Sequence, residues 1–176
     1  KRLSFAVPAR LSQADLGGGP AGFYTAKLLA KMSAQPIIHI YEKEMCPFGL
    51  IRYGVAPDHQ AIKRIENTLF EVSTYKDFNY FGNKPIDIIF VDAPIAVFGV
   101  VFAYGCPGDR RLPFDDMTAR QLVYWYNSHP KAQPINLDGK QRVAIIGNGN
   151  VAVDVARILL RSPADLASTD ISEIAL

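Results

Sequence analysis

An α/β fold of parallel strands alternating with helices follows from three observations. GGGPAG at Gly17–Gly22 and GNGNVA at Gly147–Ala152 both show G-x-G-x-x-G/A spacing, and each runs into a helix-forming segment, FYTAKLLAK or VDVARILL. Short β-branched apolar runs, IIHIYEK at Ile37–Lys43 and RVAIIG at Arg142–Gly147, have the look of buried parallel strands. An acid, Glu42, ends the first of these runs, roughly 20 residues past the first glycines, where a carboxylate takes ribose hydroxyls. Together they predict a Rossmann-like dinucleotide-binding fold, occurring twice.

In such a turn the first glycine permits the tight bend. The second lets backbone approach a pyrophosphate, and the third lets helix and strand pack closely. Free N–H groups at the helix start then face the phosphates. The first set is Gly17, Gly19, Ala21 and Gly22; the second is Gly147, Asn148, Gly149, Asn150 and Val151. Two turns imply two dinucleotides and electron transfer between them. RVAIIG is the better strand. LSQADL, Leu11–Leu16, stands before the first turn, and its Gln13 and Asp15 suit a central strand poorly.

Further elements read in order. His59–Tyr75, with Ile62, Ile65, Leu69 and Val72, reads as one amphipathic helix. Ile86–Tyr104 is the most apolar stretch, but Asp87, Asp92 and Pro94 break it. Two buried strands, IDIIFV and AVFGVVFAYG, account for it better than a membrane span. Thr118–Tyr126 reads as a helix with Thr118 as N-cap and Trp125 as core anchor. Asn127–Gly139 is a loop, and Val151, Val155, Ile158 and Leu159 give the last helix its apolar spacing.

Composition narrows the classes. The chain has 176 residues, 49% hydrophobic, with net charge +2, enough for one domain or two small ones and too apolar for disorder. No basic stripe interleaved with aromatics points to nucleic acid. Cys46 and Cys106 form no C-x-x-C and read as small buried hydrophobes; no metal-ligand spacing occurs. KRLSFAVPARLSQA has three basic residues and no acid before Asp15, the composition of an organelle transit segment or of an ordinary basic start.

The stretch CPFGLIRYGVAPDH, Cys46–His59, closely resembles a signature of the adrenodoxin reductase family, mitochondrial-type NADPH:ferredoxin oxidoreductases. Collinear matches follow at Phe81–Asn83 (FGN), Tyr104–Gly105 (YG), Asp109–Leu112 (DRRL), Ala119–Pro130 (ARQLVYWYNSHP), Gly147–Leu160 and Ser162–Ile171. The resemblance implies an N-terminal part of an FAD domain at 17–112, a linker region at 113–139 and the start of an NADP domain at 140–176. Residues 1–16 would be a transit-like or altered segment. It implies FAD and NADP(H) as cofactors, hydride transfer from NADPH to FAD, and an iron–sulfur ferredoxin (adrenodoxin-type) partner. A mitochondrial location is implied, in the matrix or peripheral to the inner membrane. By resemblance Ala21 and Glu42 hold the adenosine end of FAD, Leu50 and Ile86 the flavin side, and His59 and Asp154 form a His–acid pair near the redox centre.

Departures matter too. Family members are well over twice this length, so the comparison implies a shortened chain. The paired arginine for the NADPH 2′-phosphate would come later, making poor NADP(H) binding the expectation. PFDDMT at Pro113–Thr118 replaces the family's I-P-G segment. Two other readings stay open: a non-catalytic fragment with residual nucleotide binding, and another two-dinucleotide flavin reductase such as a glutamate-synthase-type subunit.

Overall fold

The computed structural model describes residues 12–33, 35–85, 99–106, 108–109, 113 and 117–176, with the side chains of 12–16 left out. Two compact units share the chain. One draws on residues up to Gly49 and on Glu66–Cys106; the other draws on Leu50–Ile65 and Pro107–Leu176.

The first unit is a parallel sheet. Its strands are β1 (Ser12–Leu16), β2 (Ile37–Tyr41), β3 (Phe78–Phe81) and β4 (Gly99–Phe102), in the order β3-β2-β1-β4. Helix α1, Pro20–Leu29, crosses from β1 to β2. The chain moves outward from β1 to β2 and β3, then returns to β1's other side with β4, so the strand order reverses at β1. In open α/β sheets the ligand crevice lies outside the strand C-termini at that reversal. Ile38 and Ile40 alternate with His39 and Tyr41 along β2. Phe23 and Ala26 of α1 are buried with Ile38, Ile40, Leu69 and Val72, and the Phe23 ring lies 4.6 Å from that of Phe48.

The weak run Leu11–Leu16 departs from expectation, since Ser12–Leu16 is a central strand with neighbours on both sides. Its ladder is made by backbone groups, which Gln13 and Asp15 supply as well as valine does, so intrinsic preference is overridden by context. Of the apolar stretch, Gly99–Phe102 is β4, while IDIIFV lies outside the described residues. Cys106 is exposed and Cys46 half-buried, so neither is the buried hydrophobe expected.

The second unit is helical. It holds α2 (Gly49–Tyr53) from Leu50 onward, α3 (Gln60–Lys63), α5 (Ala119–Tyr126), α6 (Asn150–Leu160) and α7 (Pro163–Leu166). Helix α4, Ile65–Phe70, and the 3-10 turn Glu71–Thr74 carry the chain into the first unit. The single helix expected over His59–Tyr75 is therefore three short pieces. Its apolar residues do not share one core: Leu69 and Val72 are buried in the first unit, while Ile62 is exposed. Leu122, Val123, Trp125 and Tyr126 of α5 pack with Val155 and Ile158 of α6, Ala56 and Leu166. Helix α5 opens on a capping box: Thr118 Oγ1 accepts from the Gln121 N–H, and the Gln121 side chain accepts from the Thr118 N–H at 2.7 Å. Both orphan donors are thereby satisfied. Asp109 of the DRRL segment fixes that cap, accepting from Thr118 Oγ1 at 2.9 Å and Arg120 Nε at 2.8 Å.

RVAIIG differs most from its reading. Residues 141–149 are exposed, form neither strand nor helix and pair with no strand among the described residues; Ile146 is 68% exposed. A β-branched apolar run signals a buried strand only where another strand offers its backbone groups. Val151, expected on the apolar face of α6, is also exposed.

Candidate functional site: two glycine turns and a salt-bridged histidine

The first turn is built by close approaches. Gly17 has φ +132°, and a Cβ there would overlap the Ala103 carbonyl beyond β4. A Cβ on Gly22 would overlap the Gly17 carbonyl oxygen, so the third glycine seats α1 on the turn. At Gly19 nothing lies within 4 Å of an added Cβ: this glycine faces open space, as backbone meant to meet a ligand should. Helix α1 has no side-chain cap, Pro20 at its start and no acid in its first turn. The first N–H groups of such a helix lack intrahelical acceptors, and its dipole favours an anion there.

Glu42 stands at the end of β2 beside this turn. One carboxylate oxygen accepts from the Gly18 N–H at 2.6 Å, the other from the Glu44 N–H at 2.9 Å. These bonds fix the carboxylate while each oxygen keeps a further lone pair for a hydroxyl. The CPFG turn closes from the other side: the Phe48 N–H donates to the Gly18 carbonyl at 2.6 Å. Phe48 is buried with φ +78°, a strained conformation for a bulky residue, and Gly49 follows at φ +41°. Gly17, Gly19, Ala21, Gly22 and Glu42 thus converge. Leu50 falls in the second unit and is exposed, and Ile86 lies outside the described residues.

The second turn repeats the first in backbone. Gly147 has φ +131° against +132° at Gly17, and Gly149 caps α6 with φ −81° and ψ 175°, against −82° and −174° at Gly19. Helix α6 likewise has no side-chain cap and no acid in its first turn. Added Cβ atoms on Gly147 and Gly149 would meet nothing within 4 Å. The turn borders a largely apolar hollow of about 880 Å³, walled by Val143–Ile146, the start of α6 from Asn150 to Ala152, and Leu122 of α5.

Also in the second unit, His59 and Asp154 converge on a residue the sequence reading missed. Arg157 Nη2 lies 2.9 Å from His59 Nδ1 and donates to Asp154 Oδ1 at 2.8 Å. The same guanidinium grips Asp58 with two prongs, Nε to Oδ2 at 2.5 Å and Nη2 to Oδ1 at 3.0 Å. Arg161 adds a second cation 3.5 Å from Asp58, whose side chain is only 2% exposed. Hydrogen bonds from Arg157 hold the Asp58 carboxyl well below its usual value, at about 2, against the opposing pull of burial. Arg157 is correspondingly held above its own ordinary value, chiefly by its hydrogen bonds to Asp58. A usable sign existed in sequence: Asp154 and Arg157 are three apart on one helix.

No family model matches the chain. A probable NADPH:adrenodoxin oxidoreductase, mitochondrial, of Schizosaccharomyces pombe is 42% identical over 171 residues, covering 92% of this chain and 36% of that protein. The Bos taurus NADPH:adrenodoxin oxidoreductase is 41% identical over 170 residues, covering 92% and 35%. A probable ferredoxin/ferredoxin–NADP reductase of Mycobacterium tuberculosis is 41% identical over 176 residues, covering 94% and 30%. Among solved structures, Mycobacterium tuberculosis FprA in complex with NADPH matches with TM-score 0.81 at 34% identity, covering 94% of this chain and 40% of that one. The chain spans about a third of the length of the curated relatives it matches. Across more than nine-tenths of its own length, this chain, with the α/β fold of dinucleotide-binding proteins, is thus homologous to proteins named NADPH:adrenodoxin oxidoreductase and ferredoxin–NADP reductase.

Proposed function

We propose that this chain supplies the FAD-holding turn and the NADP(H)-holding turn of a flavin-dependent oxidoreductase that passes electrons from NADPH to an iron–sulfur ferredoxin of the adrenodoxin type. The carrying observation is that two G-x-G-x-x-G/A turns adopt the same backbone, each opening an uncapped helix. FAD is assigned to the first turn because Glu42 stands beside it, held by two backbone N–H groups. Open space at Gly19 and the uncapped start of α1 suit the pyrophosphate. NADP(H) is assigned to Gly147–Val151. The domain limits at 17–112, 113–139 and 140–176 belong to the same proposal, with β1 as the strand that leads into the first turn.

When bound, the flavin accepts two electrons together and releases them singly. This chain's residues bind and orient. Glu42 accepts from ribose hydroxyls, the N–H groups of α1 and α6 neutralise phosphate charge, and Phe48–Gly49 holds the first turn in shape. His59 and Asp154, tied through Arg157, handle a proton at the imidazole.

A mitochondrial location draws on the names of the fungal and animal relatives; the mycobacterial relative carries no such name. No helix among the described residues is long and apolar enough to cross a membrane.

The test is FAD loading of the purified chain. A yellow protein with flavin absorbance after gel filtration is expected, and Glu42→Ala should cost about 1–3 kcal/mol of FAD binding through unpaired hydroxyls. Unchanged affinity in that variant removes Glu42 from the site. Nucleotide binding without turnover is the second reading, favoured by the exposed segment at 141–149, which pairs with no strand among the described residues. FAD retention with no NADPH-dependent reduction of a ferredoxin or ferricyanide selects it.

A further inference from the structure

We propose that Asn148 is a self-modification site: inside the second glycine turn the chain converts this side-chain amide to an acid, as aspartate or isoaspartate. The chemistry stands on the second unit alone, and the nucleotide reading can fail without touching it.

Of the seven asparagines, only Asn148 precedes a glycine. The backbone nitrogen of the next residue is the group that can reach an asparagine side-chain carbonyl and close a five-membered ring. A side chain on that next residue obstructs the approach, and glycine has none. The fold leaves the pair open. Asn148 and Gly149 are exposed, in a segment that pairs with no strand among the described residues. Nothing lies within 4 Å of a Cβ added to Gly149. The Gly149 carbonyl is anchored, accepting from the Val153 N–H at 3.1 Å, but its N–H meets no acceptor among the described residues. The first turn supplies the contrast. Gly18 stands there in the place of Asn148 and is held on both sides, its N–H by Glu42 and its carbonyl by the Phe48 N–H, each at 2.6 Å. One backbone shape is thus clamped in the first turn and free to close the ring in the second.

The Gly149 nitrogen gives its proton to a solvent base and attacks Asn148 Cγ. The N–Cγ bond forms, the Cγ–Nδ2 bond breaks, and the side-chain nitrogen takes a proton from solvent and leaves as ammonia. Water then opens the cyclic imide. Attack at Cγ gives aspartate; attack at the main-chain carbonyl of residue 148 gives isoaspartate, with the backbone routed through Cγ. Nothing is oxidised or reduced. Negative charge develops on the attacking nitrogen at the start of α6, where the helix dipole favours it. The product sets a fixed carboxylate before the same N–H groups that the proposed function gives to the phosphates of NADP(H), a like charge against an incoming anion.

The test is peptide mass mapping of the full chain, held folded at pH 6, 7 and 8 and sampled over weeks, with the chain unfolded in guanidinium as reference. Expected are an amide-to-acid mass change at Asn148 ahead of every other asparagine, isoaspartate among the products, and a rate that rises with pH. The folded rate should stay within about tenfold of the unfolded one, and Gly149→Ala, whose methyl meets nothing in the fold, should slow conversion by about tenfold. A folded chain that keeps the Asn148 amide while the unfolded chain loses it overturns the proposal, since the fold then protects the site. Aspartate without isoaspartate overturns it too, because direct hydrolysis forms no imide, and so does a Gly149→Ala rate equal to that of the unaltered chain.

Discussion

Asp58→Asn should make stability less sensitive to acid in a window where the unaltered chain loses it. The carboxyl sits at about 2 in the folded chain against its usual 3.8, because Arg157 binds both oxygens. At about 1.4 kcal/mol per pH unit, that gap corresponds to about 2 kcal/mol. Discounting for solvent is small, since the Asp58 side chain is 2% exposed. The sign follows from linkage. Above pH 3.8 the carboxylate is ionised folded and unfolded, and the full contribution is present. As pH falls from 3.8 towards 2, the unfolded chain takes the proton first, so stability drains away; below about 2 it is gone. Arginine keeps its proton throughout, so the acid alone carries the dependence. Asparagine keeps the shape and one acceptor but has nothing to titrate. Urea unfolding at pH 6, 4, 3 and 2 should show the gap between the two proteins narrowing by about 2 kcal/mol, most of it below pH 4. A gap constant from pH 6 to pH 2 would refute the reasoning, for it would mean that the ion pair is equally present in the unfolded chain or absent from the folded one.

Three more predictions separate folding from binding. Gly22→Ala should lower stability by about 1–3 kcal/mol in chemical unfolding, because its methyl overlaps the Gly17 carbonyl. Gly19→Ala should leave the unfolding midpoint unchanged, since nothing lies within 4 Å of the new methyl, yet weaken FAD binding about tenfold in fluorescence titration. Tyr126→Phe should raise stability by about 1 kcal/mol and the melting temperature by about 2–4 °C, since the Tyr126 hydroxyl is buried with no hydrogen-bond partner among the described residues.

What could be read from the sequence divides by the range of the interaction concerned. Helix α5 was legible to its cap, because Thr118 and Gln121 satisfy one another within a single turn and Trp125 falls on the buried side. Both glycine turns were legible for the same reason: their shape is set over six residues. Strand pairing was not. Gln13 and Asp15 form a central strand because β2 and β4 lie on either side of it, while RVAIIG has the better composition and no strand beside it among the described residues. The helix over His59–Tyr75 was legible as apolar spacing, but spacing could not show that the boundary between the two units falls between Ile65 and Glu66.

The His59 site carries the same lesson into chemistry. The resemblance supplied His59 and Asp154, and both stand where one guanidinium reaches them. What organises them is Asp58, 99 residues from Arg157 in the chain. Asp58 is adjacent to His59 and, read alone, is a solvated charge opening a helix. Only the fold reveals a buried carboxylate that accepts from Arg157 through both oxygens and lies 2.9 Å from His59 Nδ1. An acid next to His59 in the chain is thereby joined to the helix that carries Asp154. A histidine can be singled out in a local motif; the charged partners that surround it come from elsewhere in the chain.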